Sequence, residues 1–148
     1  MSVLERLLAG LKAGAVLAVQ IPDDLGAASH IAMHETAEAV PWREKLANAE
    51  KAREIIPAAG MYYDRLRPMA SHLDLWRTEY QHSLAGIDAI VEWFKGTGLR
   101  PFLNPLSADE RHGFLDAYRR RLELAFPLQA DGSVLLPFPR RFIVAIRG

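Results

Sequence analysis

Val3, Leu4, Leu7, Leu8 and Leu11 recur at the three-and-four spacing of an amphipathic helix, which Lys12-Ala13-Gly14 then stops. The next segment, AVLAVQIP, is an almost unbroken apolar run of strand length, and it predicts a strand over Val16 to Pro22 that is covered on both faces within a parallel sheet. Asp23 to about Arg67 reads as helical. Ser29 is placed to cap a helix carrying Ile31, Met33 and Val40, and Pro41 opens a further turn with Trp42 and Leu46. The segment AAGMYYDRLRPM predicts a short helix ending before Pro68. A second strand follows over Leu73 to His82. Ile87, Ile90, Val91 and Phe94 then share one helical face, with Trp93 on its flank, about 60° from Ile90. Gly96-Thr97-Gly98 closes that helix. Ser107-Ala108-Asp109-Glu110 has the form of a capping box, and Phe114, Leu115, Tyr118 and Leu122 continue the helix it starts. Asp131-Gly132 marks a turn, Phe142 to Ile146 reads as a last buried strand, and Trp76 on the second strand reads as core.

Composition narrows what such a chain can do. Half of its 148 residues are apolar and 24% are charged, the balance of a globular domain and not of a disordered segment. Eighteen basic residues offset eighteen acidic ones, so no net field draws the chain to nucleic acid or to an anionic membrane. The absence of cysteine removes disulfides, thiolate metal sites and a cysteine nucleophile together. No apolar run approaches the roughly 20 residues of a membrane span, and no signal-peptide pattern opens the chain, so a cytoplasmic location is expected. His30 and His34 stand four apart, but the residue order is not that of a zinc protease helix, and no metal is expected. No serine nucleophile elbow or Walker loop is present.

The run HLDLWRTEYQHSLAGIDAIVEWFKGTGLRPFLNPL, from His72 to Leu106, resembles the C-terminal part of the trans-aconitate 2-methyltransferase family, among the class I S-adenosylmethionine-dependent methyltransferases. The likeness extends from the Leu11 to Gly14 turn and the strand Val16 to Pro22 through to PFPRRFIVAIRG, and so covers nearly all of the chain. The cofactor-binding half of such enzymes begins with a strand, a Gly-rich turn and a helix whose amides face the ligand. Nothing here fits that pattern: the one Gly-x-Gly, at Gly96, ends a helix where it would have to begin one.

The resemblance implies an α/β fold: the C-terminal half of a class I, Rossmann-like methyltransferase sheet, with about three strands and a large helical cap. Residues 1–148 would form a single partial domain, with cap insertions at approximately 24–67 and 84–137. In that family's sheet the last strand is inserted antiparallel between two parallel neighbours. The three strands here would pair with one another and leave one edge of Val16 to Ile21 bare. A bare apolar edge promotes pairing with another chain, so self-association or a complementary N-terminal half is the expected partner there.

The family's activity transfers a methyl group from S-adenosylmethionine to a carboxylate of trans-aconitate or a similar small polycarboxylate. On this reading the cofactor belongs to the full-length family, and this chain, without the half that holds it, is inactive alone. A carboxylate is anionic at neutral pH, so no catalytic base is expected, and the protein's task is anion recognition, for which the planar arginine fork is the best tool. Sites in such sheets lie beyond the carboxyl ends of the parallel strands, here Gln20 to Asp23 and Tyr80 to His82, with Pro139, Arg140 and Arg141 entering on the last strand. The candidate substrate-binding residues are Gln20, Tyr62, Tyr63, His82, Trp93, Arg100 and Arg141. Arg100, inside GLRPFL and after the helix stop, is the first choice as carboxylate anchor, with a solvated loop arginine as the plain alternative, and Trp93 would wall the pocket. An independent, non-catalytic module that binds a small acid or serves assembly is the alternative reading.

Overall fold

The computed structural model describes residues 2–49 and 56–148. In chain order the elements are α1 (Val3–Ala9), β1 (Val16–Pro22), α2 (Ala28–Ala37), α3 (Arg43–Leu46), α4 (Ala59–Leu66), a 3-10 turn (Arg67–Met69), β2 (Ala70–Leu84), α5 (Ile87–Lys95), α6 (Arg100–Leu103), α7 (Ala108–Ala125) and β3 (Val134–Arg147). The part of the helical expectation that falls on 50–55 lies outside the described residues.

The three strands form one sheet in the order β1-β3-β2. β1 and β3 run antiparallel, with Val16 opposite Ile146, Val19 opposite Ile143 and Ile21 opposite Arg141. The Gly148 amide donates to the Met69 carbonyl and the Ser71 hydroxyl to that of Ile146, so the start of β2 lies beside the end of β3. β2 is therefore also antiparallel to β3 and parallel to β1. The fold is α/β, with the chain's last strand between two parallel ones, compatible with part of a methyltransferase fold.

Two strands extend further than their apolar cores indicate. β2 begins three residues earlier and ends two later than the predicted Leu73 to His82, and β3 starts at Val134 instead of Phe142, passing through Pro137 and Pro139. The β1 prediction needs a sharper correction. Burial along β1 alternates, because Leu17, Val19 and Ile21 pack inward while Val16, Ala18 and Gln20 are exposed. Trp76 is likewise not core: it is 46% exposed and stacks on Phe142, with ring centroids 5.0 Å apart.

The chain folds into two compact units, each drawn from separate stretches of sequence. The first comprises Met1–Asp23, Ile55–Tyr80 and Pro139–Gly148. There α1 is closed by a capping box between Ser2 and Glu5, which holds the Glu5 carboxyl below its ordinary range through the Ser2 backbone and side chain. Leu8 of α1 and Leu66 of α4 pack with Ile143, Ala145, Leu17, Val19, Leu73 and Leu75 on one face of the sheet.

The second unit comprises Asp24–Glu54 and Gln81–Phe138. Its core is aromatic and aliphatic, with Phe114, Tyr118 and Leu122 of α7 fully enclosed among α2, α5 and α6. α5 buries Ile87, Ile90, Val91 and Phe94, the face that the spacing predicts. Ser107 and Glu110 form the expected capping box of α7, and Lys45 of α3 also bonds Glu110. Ser29 does not cap α2: the N-cap is Ala27, and Ser29 is buried inside the helix. Arg119 bridges Asp88 of α5 and Glu123 of its own helix at 2.6 Å each, and Arg121 reaches Glu35 of α2 at 3.8 Å. Part of the basic run on α7 thus ties neighbouring helices together.

Candidate functional site

The sheet face under α1 and α4 is apolar for most of its length and then changes character. Continuing the inward positions of each strand toward the carboxyl ends of β1 and β2, Ile21 gives way to Asp23, Leu75 to Arg77 and Ile143 to Arg141. Antiparallel register sets Arg141 opposite Ile21, and the Asp23 amide donates to the Pro139 carbonyl at 3.0 Å. Three charged side chains therefore meet at one end of the first unit's sheet, where the strand alternation brings them to the helix-covered face.

Arg141 is the most enclosed of them, its side chain 15% exposed. Its Nη2 donates to Asp23 Oδ2 at 2.8 Å and its Nη1 to the Pro57 carbonyl. The guanidinium carbon lies 5.9 Å from the centre of the Tyr62 ring. Burial raises the Tyr62 hydroxyl above its usual pKa, opposed by the Arg141 charge, so at neutral pH the phenol keeps its proton and can donate it in a hydrogen bond. Arg77 shares the same carboxylate oxygen, Nε to Oδ2 3.5 Å, and lies 3.5 Å from Glu79. Its side chain is half exposed. The result is one guanidinium locked in place beside a second that is loosely held and open to solvent, a pairing suited to recognising a carboxylate.

The candidate residues divide between the two units. Gln20, Tyr62, Tyr63 and Arg141 belong to the first unit, and the structure brings Tyr62 and Arg141 together. Tyr63, one residue on from Tyr62 on α4, is exposed, and Gln20 is exposed on the opposite sheet face from Val19 and Ile21. His82, Trp93 and Arg100 belong to the second unit. There His82, Trp93 and Phe138 form a mutual aromatic triad, with ring centroids 5.1 to 5.8 Å apart, and Trp93 is 39% exposed on the flank of α5. Arg100 opens the helical turn α6, where the sequence suggests a loop, and its side chain is exposed. Arg141, by contrast, is fixed in place by its bonds to Asp23 and Pro57.

Arg77 and Asp23 are the members of the site that residue type and topology alone do not single out as ligands. A signal for Arg77 is nonetheless present: on β2 the inward alternation Leu73, Leu75 puts a charged residue at the next inward position. A charge at an inward position near a strand's end marks a site more sharply than an arginine in an apparent loop. In the second unit, buried His30 lies 3.9 Å from buried Asp24 and meets Phe94 edge-on at 5.2 Å. A side chain at Gly98 would press on Phe94, Met33 and His30 at 3.2 to 3.4 Å, so glycine there serves close packing, while Gly96 is the residue that caps the helix. His34 meets Phe102 edge-on at 5.5 Å.

The residues present do not fit a sulfonium cofactor's usual cradle. Among the described residues, the one strand-to-helix turn with a left-handed glycine is Ala85-Gly86, where Gly86 has φ +82° and caps α5. The first turn of that helix carries Asp88, already paired with Arg119, and there is no second glycine to let backbone amides approach a ligand.

No family model matches the chain. Among curated proteins, it is 54% identical over 144 residues to a trans-aconitate 2-methyltransferase of Rhodopseudomonas palustris (strain BisB5), a match covering 97% of this chain and 56% of that protein. The protein of the same name from Paracidovorax citrulli is 49% identical, over 99% of this chain and 56% of its own. That from Agrobacterium fabrum is 45% identical, over 99% and 57%. The chain spans about half the length of these relatives. Along nearly all of its residues it is similar to the carboxy-terminal part of trans-aconitate 2-methyltransferases.

Proposed function

We propose that this chain is the acceptor-recognising part of a methyltransferase that esterifies a carboxylate of trans-aconitate or a closely similar small polycarboxylate. The observation that carries the reading is the 45 to 54% identity, over almost the entire chain, to proteins of that name. The charged end of the first unit's sheet supplies the chemistry. Arg141, held by Asp23, Pro57 and Tyr62, presents a guanidinium that cannot swing away. Arg77 is held by longer, 3.5 Å ion pairs, so an incoming carboxylate can take the place of Glu79 on it. The bound acid needs no base, because its reacting oxygen is already anionic. The chain's contribution to rate is orientation of that oxygen and exclusion of water from it.

S-adenosylmethionine supplies the electrophilic methyl group in methyltransferases of this kind, and its binding is assigned to sequence that the relatives have beyond the matched region. A cytoplasmic setting suits both small molecules, and no described helix is long and apolar enough to cross a membrane.

Calorimetry of this chain with trans-aconitate at low ionic strength tests the reading. Binding should weaken on the order of tenfold or more in Arg77→Ala, the loss of a charge-assisted pair, and should tighten in Glu79→Gln. Acid binding indifferent to both substitutions would overturn the site. An acid-binding module without catalysis is the second reading, favoured by an arginine pair that stands without a catalytic base among the described residues. Labelled methyl transfer by a protein that joins this chain to a relative's remaining sequence separates the two, since the module predicts acid binding without turnover.

A further inference from the structure

Arg141, Arg77, Asp23 and Glu79 bring two cations and two anions to the charged end of the first unit's sheet, and the two anions are held unequally. Asp23 is fixed. Its backbone amide donates to the Pro139 carbonyl at 3.0 Å, its Oδ2 accepts from Arg141 Nη2 at 2.8 Å, and the same oxygen lies 3.5 Å from Arg77 Nε. The Asp23 side chain is 20% exposed, against 41% for Glu79, which meets Arg77 Nη2 at 3.5 Å. One anion is therefore built into the site, and the other stands where a ligand can exchange for it.

Charge decides what such a site can hold. With Glu79 in place the two guanidiniums and two carboxylates sum to zero, and Tyr62, as a protonated phenol, adds nothing. With Glu79 turned to water one positive charge remains, which a single ligand carboxylate neutralises. A second ligand carboxylate drawn onto the same arginine pair would find both cations already matched and Asp23 beside it, and like charges close together in a partly enclosed site repel strongly. A resident repulsive charge of this kind sets specificity as effectively as an added attraction. We propose that Asp23 is the specificity-determining residue of this site: shared by both arginines, it restricts them to one carboxylate of the acid, so the site takes small carboxylic acids as a class and does not count their remaining carboxylates. The inference rests on the acid-binding reading above and adds to it which feature of the acid is read.

The test is calorimetry of this chain at neutral pH with crotonate, fumarate and trans-aconitate, which carry one, two and three carboxylates. At about 0.15 M ionic strength, where charges beyond about 8 Å are screened, the three affinities should lie within about tenfold of one another. In Asp23→Asn, whose side-chain oxygen can still accept from Arg141, the two cations lose their shared counter-charge, and the preference for trans-aconitate over crotonate should rise about tenfold or more. Glu79→Gln should tighten all three acids by a similar factor and leave that preference unchanged, because Glu79 is already in water when an acid is bound. Circular dichroism establishes that both variants are folded, and the comparison of acids on the unaltered chain depends on no variant. An unaltered chain that prefers trans-aconitate to crotonate by more than about tenfold would overturn the inference, as would a folded Asp23→Asn whose preference is unchanged. Either result, with trans-aconitate binding still dependent on Arg77, leaves the proposed function standing. Failure of the unaltered chain to bind any of the three acids defeats that function, and this inference with it.

Discussion

The helical unit and the sheet unit bury their apolar residues in contrasting ways. In the helical unit, Phe114 stacks on Phe102 and meets Trp42 edge-on, and Ile90, Leu99, Tyr118 and Leu122 are sealed around them. α5 and α7 each bury one stripe and turn the other to water, pinned by Arg119 and Asp88. In the sheet unit only one side is treated this way. Its other side leaves Val16 and Trp76 in solvent, although the residues there are hardly more polar. The difference teaches that exposure in this molecule follows available coverage and not residue type. One unit covers its own apolar residues, and the other leaves one apolar sheet face in solvent.

Substitutions can break or sharpen that contrast. The largest effect is expected for Phe114→Ala, which empties the centre of the helical unit and should cost about 3–5 kcal/mol in urea denaturation. A cost below about 1 kcal/mol would mean that the unit is not close-packed. Asp23→Ala removes the partner of a guanidinium that is mostly enclosed, and should destabilise the sheet unit by about 1–3 kcal/mol, measured by the same titration. Tyr118→Phe should change stability by no more than about 1 kcal/mol, and toward greater stability. The Tyr118 hydroxyl is buried with no hydrogen bond among the described residues, so deleting it removes a desolvated group and breaks no hydrogen bond there.

The smallest effect is on pH dependence. Lys45, and then the Ser107 cap, hold the Glu110 carboxyl down to about 2 from its ordinary 4.5. Because the folded value is the depressed one, Glu110 stabilises the helical unit fully above about pH 4.5, and this contribution is lost as pH falls toward 2. Glu110→Gln should flatten that limb of the acid denaturation curve, lowering stability at neutral pH and leaving it almost unchanged near pH 2.

Much of this was legible in residue order. The α5 face, the α7 capping box and the β1 boundaries follow from periodicity and short-range chemistry, which act locally and so leave a local trace. The likeness over His72 to Leu106 is met by relatives 45 to 54% identical. What the sequence concealed depends on tertiary neighbours. The run AVLAVQIP is the same whether one or both of its faces are covered, so the exposure of Val16 could not be read from it. Ser29 looks like a cap because serine is favoured there, but Ala27 takes that position and the hydroxyl residue is drawn into the helix interior. Arg100 follows a Gly-x-Gly stop and precedes a proline, yet proline in the first turn is compatible with a new helix, and α6 starts at Arg100 itself. Arg141 was identifiable as a residue type at a strand end, whereas its clamp by Asp23 and Pro57 spans 118 and 84 positions of chain and leaves no local mark.

The central place of β3 has a consequence for the birth of the molecule. β1 and β2 do not touch as ladder neighbours; each is hydrogen-bonded to β3, which is made after both. During synthesis the two outer strands must therefore wait, unladdered, until Val134 to Arg147 has left the ribosome. The helices of Gln81 to Phe138 can meanwhile begin to condense around nearby residues. The sheet is thus the slow, late and aggregation-exposed step of folding. A ribosome that stalls just before β3 would release a chain in which β1 and β2 lack the strand that joins them.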